Sequence, residues 1–444
     1  MSQTGIVAKQ DIADNFADLH EPYNASQAML EAARCTYCFD APCMKACPTG
    51  IDIPTFIHQI RTQNVKGAAK TILSENIMGG TCARACPTEI LCERACVRHH
   101  DQGKPVEIGL LQRFAVDHLM QTTEEHPFVR APETGKRIAV VGAGPAGLSC
   151  AHRAALIGHT VTVFESKPKP GGLNEYGLAA YKMVDDFAQK EVEFLLGIGG
   201  IEILYGQRLG ENLTLQTLQA DYDAVFLSIG LGLCNQLGLE NESLKGVFDA
   251  IDFIEKLRQS PDKSEMPVGQ NVVVIGGGNT AIDAAVQAKR LGAKKVTLAY
   301  RRGEQNMTAT EWEVDLARKN GVDVRLWSTP IELNGEDHVS SITLEQTAIE
   351  NGRLIGTGER EQIATDMVLK AVGQKLDASV LAGLDIEHGK LKINDKYQTS
   401  LPGVYAGGDC IDTGEDLTVQ AVEDGKRAAH AIGQTLFGID IKEV

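Results

Sequence analysis

The sequence predicts an α/β protein in which an N-terminal all-α domain precedes two doubly wound, Rossmann-like domains. Three observations carry that prediction. Eight of the eleven cysteines lie between Cys35 and Cys96, among segments with helical periodicity such as NASQAMLEAARC and PTFIHQIRTQNVKGAAKTILSEN. Two later stretches each read as strand, glycine turn, helix and strand: KRIAVVGAGPAGLSCAHRAALIGHTVTVFES from Lys136, and NVVVIGGGNTAIDAAVQAKRLGAKKVTLAYRR from Asn271. Between the cysteine-rich part and the first of them runs a polar, proline-containing linker, TTEEHPFVRAPETGK.

The bulk properties agree with this layout. A chain of 444 residues has room for two to four domains at roughly 100–200 residues each. A hydrophobic content of 43% and a charged content of 23% are those of an ordinary globular protein. The formal charge of -16 repels phosphate backbones and excludes nucleic acid as a partner class, although a local basic pocket could hold a nucleotide. The first twenty residues lack a basic segment followed by an apolar run, so no secretory signal is expected. No stretch approaches the roughly 18 consecutive apolar residues of a spanning helix, so no membrane is expected either. The expected location is cytoplasmic, where thiols stay reduced.

The cysteines form two runs. The first, CTYCFDAPCMKACP, places Cys35, Cys38, Cys43 and Cys47 at C-x2-C-x4-C-x3-C-P. The second, TCARACPTEILCERAC, places Cys82, Cys86, Cys92 and Cys96. Zinc sites use four ligands, commonly from paired C-x2-C knuckles. Eight cysteines with a Cys-Pro pair in each run instead follow the ferredoxin logic, in which three closely spaced thiolates hold three corners of a cubane and a distant residue supplies the fourth. Two 4Fe–4S clusters are therefore expected, with zinc and structural disulfides as the alternatives. Cys150, Cys234 and Cys410 stand apart and read as small buried hydrophobes.

In the first nucleotide unit Gly142, Gly144 and Gly147 form G-x-G-x-x-G. The first permits the tight turn, the second lets backbone approach a pyrophosphate, and the third lets helix pack on strand. The helix N-terminus offers unpaired N–H groups to the phosphates. Glu165 ends the next strand, 23 residues after Gly142, where a carboxylate accepts hydrogen bonds from ribose. The second unit carries Gly276, Gly278 and Ala281, a G-x-G-x-x-A variant with Asn279 and Thr280 in the same turn. It is expected to bind the nicotinamide nucleotide. Its following strand ends in Arg301 and Arg302 rather than an acid, which leans towards a 2′-phosphate and NADPH, unless these arginines only face solvent.

The tail TSLPGVYAGGDCIDTGEDLTVQAVEDGKRAAHAI resembles the second flavin-binding signature of the two-dinucleotide flavoprotein disulfide reductase superfamily. The resemblance implies FAD on the first unit, with Gly408 and Asp409 at the ribityl chain. It implies Thr418, Val419 and Gln420 near the isoalloxazine, and Ala146, Gly172 and Leu173 among the flavin contacts. It also makes the FAD domain discontinuous. The expected domains are 1–128, helical and iron–sulfur; 129–255 with 366–444, FAD-binding; and 256–365, NAD(P)-binding.

Taken together, residues 25 to 435 resemble the family of glutamate synthase small subunits and the N-terminal half of dihydropyrimidine dehydrogenase. Within it, IGLLQRF at 108–114 matches the segment that gives dihydropyrimidine dehydrogenases a glutamine cluster ligand, and the DAPC segment also looks like the dehydrogenase. The chain is thus similar to the PreT- or PydX-type NAD(P)H-oxidising subunits of bacterial dihydropyrimidine dehydrogenase. The resemblance implies one cluster on Cys35, Cys38, Cys43 and Cys96, and another on Cys47, Cys86, Cys92 and Gln112. It leaves Cys82 unligated, whereas spacing alone would use all eight cysteines, and the two accounts conflict. Thr308 stands where the animal enzyme adds a basic residue, so NADH remains open beside NADPH. Lys182, after GGLNEYGLAAY, is expected near the flavin.

A flavin converts hydride equivalents into single electrons for clusters. The expected function is the electron-input half of a hetero-oligomer. The three modules use the whole sequence and leave nothing for a (β/α)8 barrel of roughly 250 residues. The resemblance assigns the uracil- or thymine-reducing site, and with it pyrimidine catabolism, to a partner with FMN and its own clusters (PreA-type). The alternatives are a glutamate synthase small subunit, a stand-alone NAD(P)H:acceptor oxidoreductase, and a non-enzymatic redox sensor or zinc scaffold; the second glycine turn speaks against the last.

Overall fold

The computed structural model describes residues 9–123 and 125–437. The chain divides into two compact units, one of 1–19, 176–184 and 233–374, the other of 20–175, 185–232 and 375–444.

The larger-numbered part of the second unit is built on a five-stranded parallel sheet. Its order is Val404–Ala406, Ala224–Leu227, Arg137–Val141, Thr160–Glu165, Ile201–Tyr205. The run RIAVV is buried from Ile138 onward, as a strand covered on both faces must be. The strand Val404–Ala406 pairs in register with Val225–Leu227, so the C-terminal segment completes the sheet begun at Arg137. This discontinuity matches the expectation.

The helical part of the same unit follows local signals. Asp52 caps Ile53–Arg61 by accepting from the Thr55 N–H at 3.1 Å. Ile53, Phe56, Ile57 and Ile60 then fall on one buried face at i, i+3, i+4 and i+7. Asn64 caps Val65–Glu75 through the Gly67 N–H, and Ala68, Ala69, Ile72 and Leu73 are its buried stripe. Asn24 and Gln27 make a reciprocal capping box before Ala25–Ala32. These faces share one core with Ile108, Leu111 and Ala115 of the helix Ile108–Thr122.

The first unit holds a second parallel sheet, ordered Val247–Asp249, Met367–Lys370, Asn271–Ile275, Lys295–Ala299, Asp323–Arg325. It reaches beyond the expected span of 256–365 at both ends, because pairing partners for a central strand are chosen by sheet register, not by chain proximity. An antiparallel meander, Ser328–Gly335, Val339–Glu350 and Arg353–Ala364, is inserted in this unit. Residues 9–19 differ from expectation too. The helix Lys9–Asn15 puts Ile12, with Phe16 just beyond it, into the core of this unit, and the Leu19 N–H donates to the Tyr181 carbonyl.

No helix among the described residues is long and apolar enough to cross a membrane.

Candidate functional site

The first cysteine run leaves the helix Ala25–Ala32 and closes on itself within ten residues. Tyr37 and Ala41 both adopt positive φ (53° and 36°), a conformation that costs non-glycine residues roughly 1–2 kcal/mol each. The loop so formed brings Cys35, Cys38 and Cys43 together with Cys96 around a cavity lined also by Arg98 and by apolar residues such as Ile53, Ile57, Val106 and Ile108. Burial first, then Cys96 and Cys35, pushes the Cys43 thiol up to about 12. Burial raises Cys35 as well, with Cys96 and Cys38 as like neighbours. Reactive or disulfide-exchanging cysteines need the opposite shift. Four thiols converge in a largely apolar pocket where burial outweighs the Arg98 guanidinium at Cys35, which fits a group that brings its own positive charge.

The second group is assembled the same way. The Cys86 thiol is raised by a hydrogen bond with Cys82, by burial, and by Cys92 and Cys47. Burial dominates at Cys92, with Glu93, Cys47 and Cys43 adding to it. The Glu93 carboxylate accepts the Gly109 N–H at 3.0 Å, which anchors this loop to the first turn of Ile108–Thr122. On that helix Gln112 is buried, and its Nε2 donates to the Gly79 carbonyl at 2.7 Å, on the helix that carries Cys82. Its amide oxygen is left as the remaining acceptor. The Thr36 hydroxyl lies 3.1 Å from Cys38 Sγ and the Thr49 hydroxyl 3.3 Å from Cys47 Sγ, the kind of polar contact that tunes cluster sulfurs. All eleven cysteines are free thiols; Cys150 and Cys410 are buried as expected, while Cys234 is half-exposed.

The first glycine turn is built by close backbone approach. A Cβ on Gly147 would sit 1.9 Å from the Gly142 carbonyl oxygen, and one on Gly142 (φ 102°) would meet the Ser228 carbonyl at 2.4 Å. Gly144 caps the helix Pro145–Leu156, and beside it space is open save for Gly172, whose own Cβ would lie 2.7 Å from Gly144 Cα. Ala146 is buried, and its carbonyl oxygen would lie 2.0 Å from a Cβ on Gly425 of the helix Thr418–Phe437. The Glu165 carboxylate accepts the Ala143 N–H at 2.8 Å and the Lys167 N–H at 2.7 Å, so it braces the turn itself. Leu173 is partly exposed at the start of Leu173–Tyr176.

The C-terminal stretch folds onto this turn. Asp424 accepts the Gly408 N–H at 2.9 Å and the Gln420 amide at 2.8 Å, and Val419 is buried. Burial first, then Asp416, raises the Asp409 carboxyl to about 6. The Thr418 hydroxyl donates to Asn174 Oδ1 at 2.8 Å, while the fully buried Asn174 Nδ2 has no partner among the described residues. An orphaned amide beside an open glycine turn fits a dinucleotide carrying acceptors. Asn174 carried no sequence signal beyond its place in GGLN, because only burial makes an asparagine amide informative.

The second glycine turn lies in the first unit. Gly276 has φ 148°, and its Cβ would meet the Ala371 carbonyl at 2.3 Å; the Tyr300 ring covers Gly277. Gly278 caps Asn279–Arg290, with Ala281 buried. The Thr308 hydroxyl lies 3.1 Å from where a Gly278 Cβ would be, and Thr308 N–H donates to Gly277. The buried Asn279 Oδ1 has no partner among the described residues, again at the mouth of a helix N-terminus, and Thr280 follows it half-buried. Arg301 and Arg302 are exposed, and among the described residues neither guanidinium has an ion-pair partner. Their backbones are fixed by Thr347 and Trp327. Lys182, expected near the flavin, is engaged in this unit by two buried carboxylates, Asp283 at 2.7 Å and Glu313. Burial opposes its charge, but Asp283 and Glu313 outweigh burial and hold its pKa above the usual value.

Comparison with known proteins gives two family matches. Residues 136–425 match pyridine nucleotide-disulphide oxidoreductases, and residues 12–124 match dihydropyrimidine dehydrogenase domain II, 4Fe-4S cluster. The NAD-dependent dihydropyrimidine dehydrogenase subunit PreT of Escherichia coli K12 is 34% identical, over 96% of this chain and 98% of its own. The glutamate synthase [NADPH] small chain of the same organism is 33% identical, over 94% and 93%. Among solved structures, Mycobacterium tuberculosis FprA in complex with NADPH superposes with a TM-score of 0.59 at 20% identity, covering 70% of this chain and 86% of that one, which speaks for the fold.

Proposed function

The chain belongs to the pyridine nucleotide-disulphide oxidoreductase family, in the group that holds PreT-type dihydropyrimidine dehydrogenase subunits and glutamate synthase small chains, and from that premise we propose that it is the electron-input subunit of a dihydropyrimidine dehydrogenase. It is an NAD(P)H-dependent flavin oxidoreductase with an iron–sulfur domain. Bound FAD supplies the conversion between hydride and single electrons. The turn Gly142–Gly147 and the helix it caps hold the pyrophosphate; Asn174, Asp409 and Thr418 hold the rest of the flavin. Gly276–Ala281 and Asn279 receive the nicotinamide nucleotide, and Arg301 and Arg302 meet its adenosine end. Two cysteine groups hold two clusters, one on Cys35, Cys38, Cys43 and Cys96, the other on Cys47, Cys86, Cys92 and Gln112.

The observation that carries the pyrimidine reading is Gln112. It is buried, its amide nitrogen is taken by Gly79, and its oxygen remains available on a helix packed against the one bearing Cys82. The partner is a separate subunit with FMN, iron–sulfur clusters and the uracil or thymine site. The isolated chain should reduce artificial acceptors with NAD(P)H and reduce uracil only after the partner is added. Uracil reduction by the chain alone would end this division of labour. Glutamate synthase is the second reading, supported by a relative of nearly equal identity, and identification of the co-purifying subunit separates the two.

A further inference from the structure

We propose that Lys426 is a positioning residue that couples the flavin-side helix to the cluster held by Cys47 and sets that cluster's reduction potential. The inference rests on the electron-input reading above. Lys426 lies on the helix Thr418–Phe437, eight residues after Thr418, and is buried. Its Nζ donates to the Thr49 carbonyl at 2.9 Å, two residues beyond Cys47, and the Thr49 hydroxyl touches Cys47 Sγ at 3.3 Å. The same ammonium pairs with Glu75 and Glu423, each at 2.8 Å. Arg153, from the helix capped by Gly144, acts on both of these carboxylates and donates to the Ser74 carbonyl at 2.5 Å.

Two cations and two carboxylates thus balance behind the turn that presents Cys47. Each end of the set is fixed to the opposite side: Lys426 and Arg153 come from the two helices that flank the flavin turn, Glu75 and Thr49 from the cysteine-rich helices. Loss of the Lys426 charge leaves the set net negative; Glu423 is 16% exposed and weakly screened, whereas Glu75 is 45% exposed and screened by solvent. Negative charge near a cluster disfavours its reduced form, because reduction adds an electron. A purely structural lysine would move stability but not the midpoint in a sign-dependent way.

The test uses anaerobically prepared holoprotein with Lys426→Met, Lys426→Arg and Glu423→Gln. Cluster midpoints are read by redox titration followed by electron paramagnetic resonance, and flavin bleaching by NAD(P)H by stopped flow. Lys426→Met should lower the midpoint of one cluster by at least ~59 mV, a tenfold shift for one electron. Glu423→Gln should raise the same midpoint, Lys426→Arg should stay near wild type, and flavin bleaching should change less than about twofold in all three. Unchanged midpoints in Lys426→Met and Glu423→Gln, with full iron content, overturn the proposal. Should Lys426→Met not fold, the sign of the shift in Glu423→Gln decides alone. Wild-type protein with FAD but no iron would instead overturn the electron-input reading itself.

Discussion

Glu191 should make stability fall as pH rises from mildly acidic to mildly alkaline, and Glu191→Gln should remove that slope. Glu191 is 1% exposed on the helix Phe187–Leu196. Its carboxylate accepts the Thr81 N–H at 2.9 Å and the Thr81 hydroxyl, and Arg84 is the facing cation, itself stacked on the Phe187 ring. Burial outweighs these favourable contacts and raises the carboxyl to about 7 from 4.5. The folded state therefore keeps a proton that the unfolded chain releases near pH 4.5. Stability from this group is fully present below that value and is lost as pH rises through about 7. A shift of this size corresponds to about 3 kcal/mol in full, of which about 2 kcal/mol falls between pH values of about 5.5 and 8. Urea unfolding of wild type and Glu191→Gln at several pH values reads the difference. Gln changes one acceptor into a donor, so a constant offset between the two is expected; the pH-dependent part is the measurement. Parallel profiles across this range would refute the reasoning.

Gly147→Ala should abolish FAD retention, read from the visible spectrum of the purified protein, since the new Cβ would fall 1.9 Å from the Gly142 carbonyl oxygen. Replacing Arg301 and Arg302 together by Gln should raise KM for NADPH by about tenfold while leaving NADH within about twofold, as exposed cations reading a 2′-phosphate require. Gln112→Ala should lose one cluster's iron and Cys82→Ala should keep both; iron loss only in the Cys82 variant defeats the glutamine assignment. Lys182→Met should destabilise by about 3–5 kcal/mol in chemical unfolding, because it strands the buried Asp283 and Glu313 carboxylates.

What was legible in the sequence was what a few neighbouring residues dictate. The glycine turns at 142 and 276 were readable because a Cβ is impossible where carbonyl oxygens approach within 2.4 Å. The helix Ile53–Arg61 announced itself through the spacing of its four buried apolar residues. Long-range pairing left no such trace. Nothing in KQDIADN marks it as a companion of residues 233–374, because two apolar side chains, Ile12 and Phe16, suffice to seat a short helix. Glu165 was expected to face ribose, yet its oxygens also hold backbone N–H groups of its own turn, a role that needs coordinates to see. Lys182 pairs with carboxylates roughly 100–130 residues away, too far for any periodicity to report.

Glu191 differs from the other buried charges in how it is paired. Lys182 has Asp283 and Glu313, and Lys370 has Glu242 and Asp249 within 3.4 Å. Lys426 has Glu75 and Glu423. In each set a cation and carboxylates meet directly, so the desolvation cost of one is offset by the field of the other. Glu191 meets the Thr81 hydroxyl and backbone N–H groups of Thr81 and Gly80, while the facing guanidinium, Arg84, spends its hydrogen bonds on Asp117 and the Gly80 carbonyl. A carboxyl in that position keeps its proton because neutrality is the cheaper state in a dry interior. Thr81 stands next to Cys82, so protonation of Glu191 decides whether a negative charge sits one residue from the second cysteine group. Glu191→Asp would separate the two effects: a shorter side chain loses the Thr81 contact but retains the titration, and only the contact-dependent part of the stability should disappear.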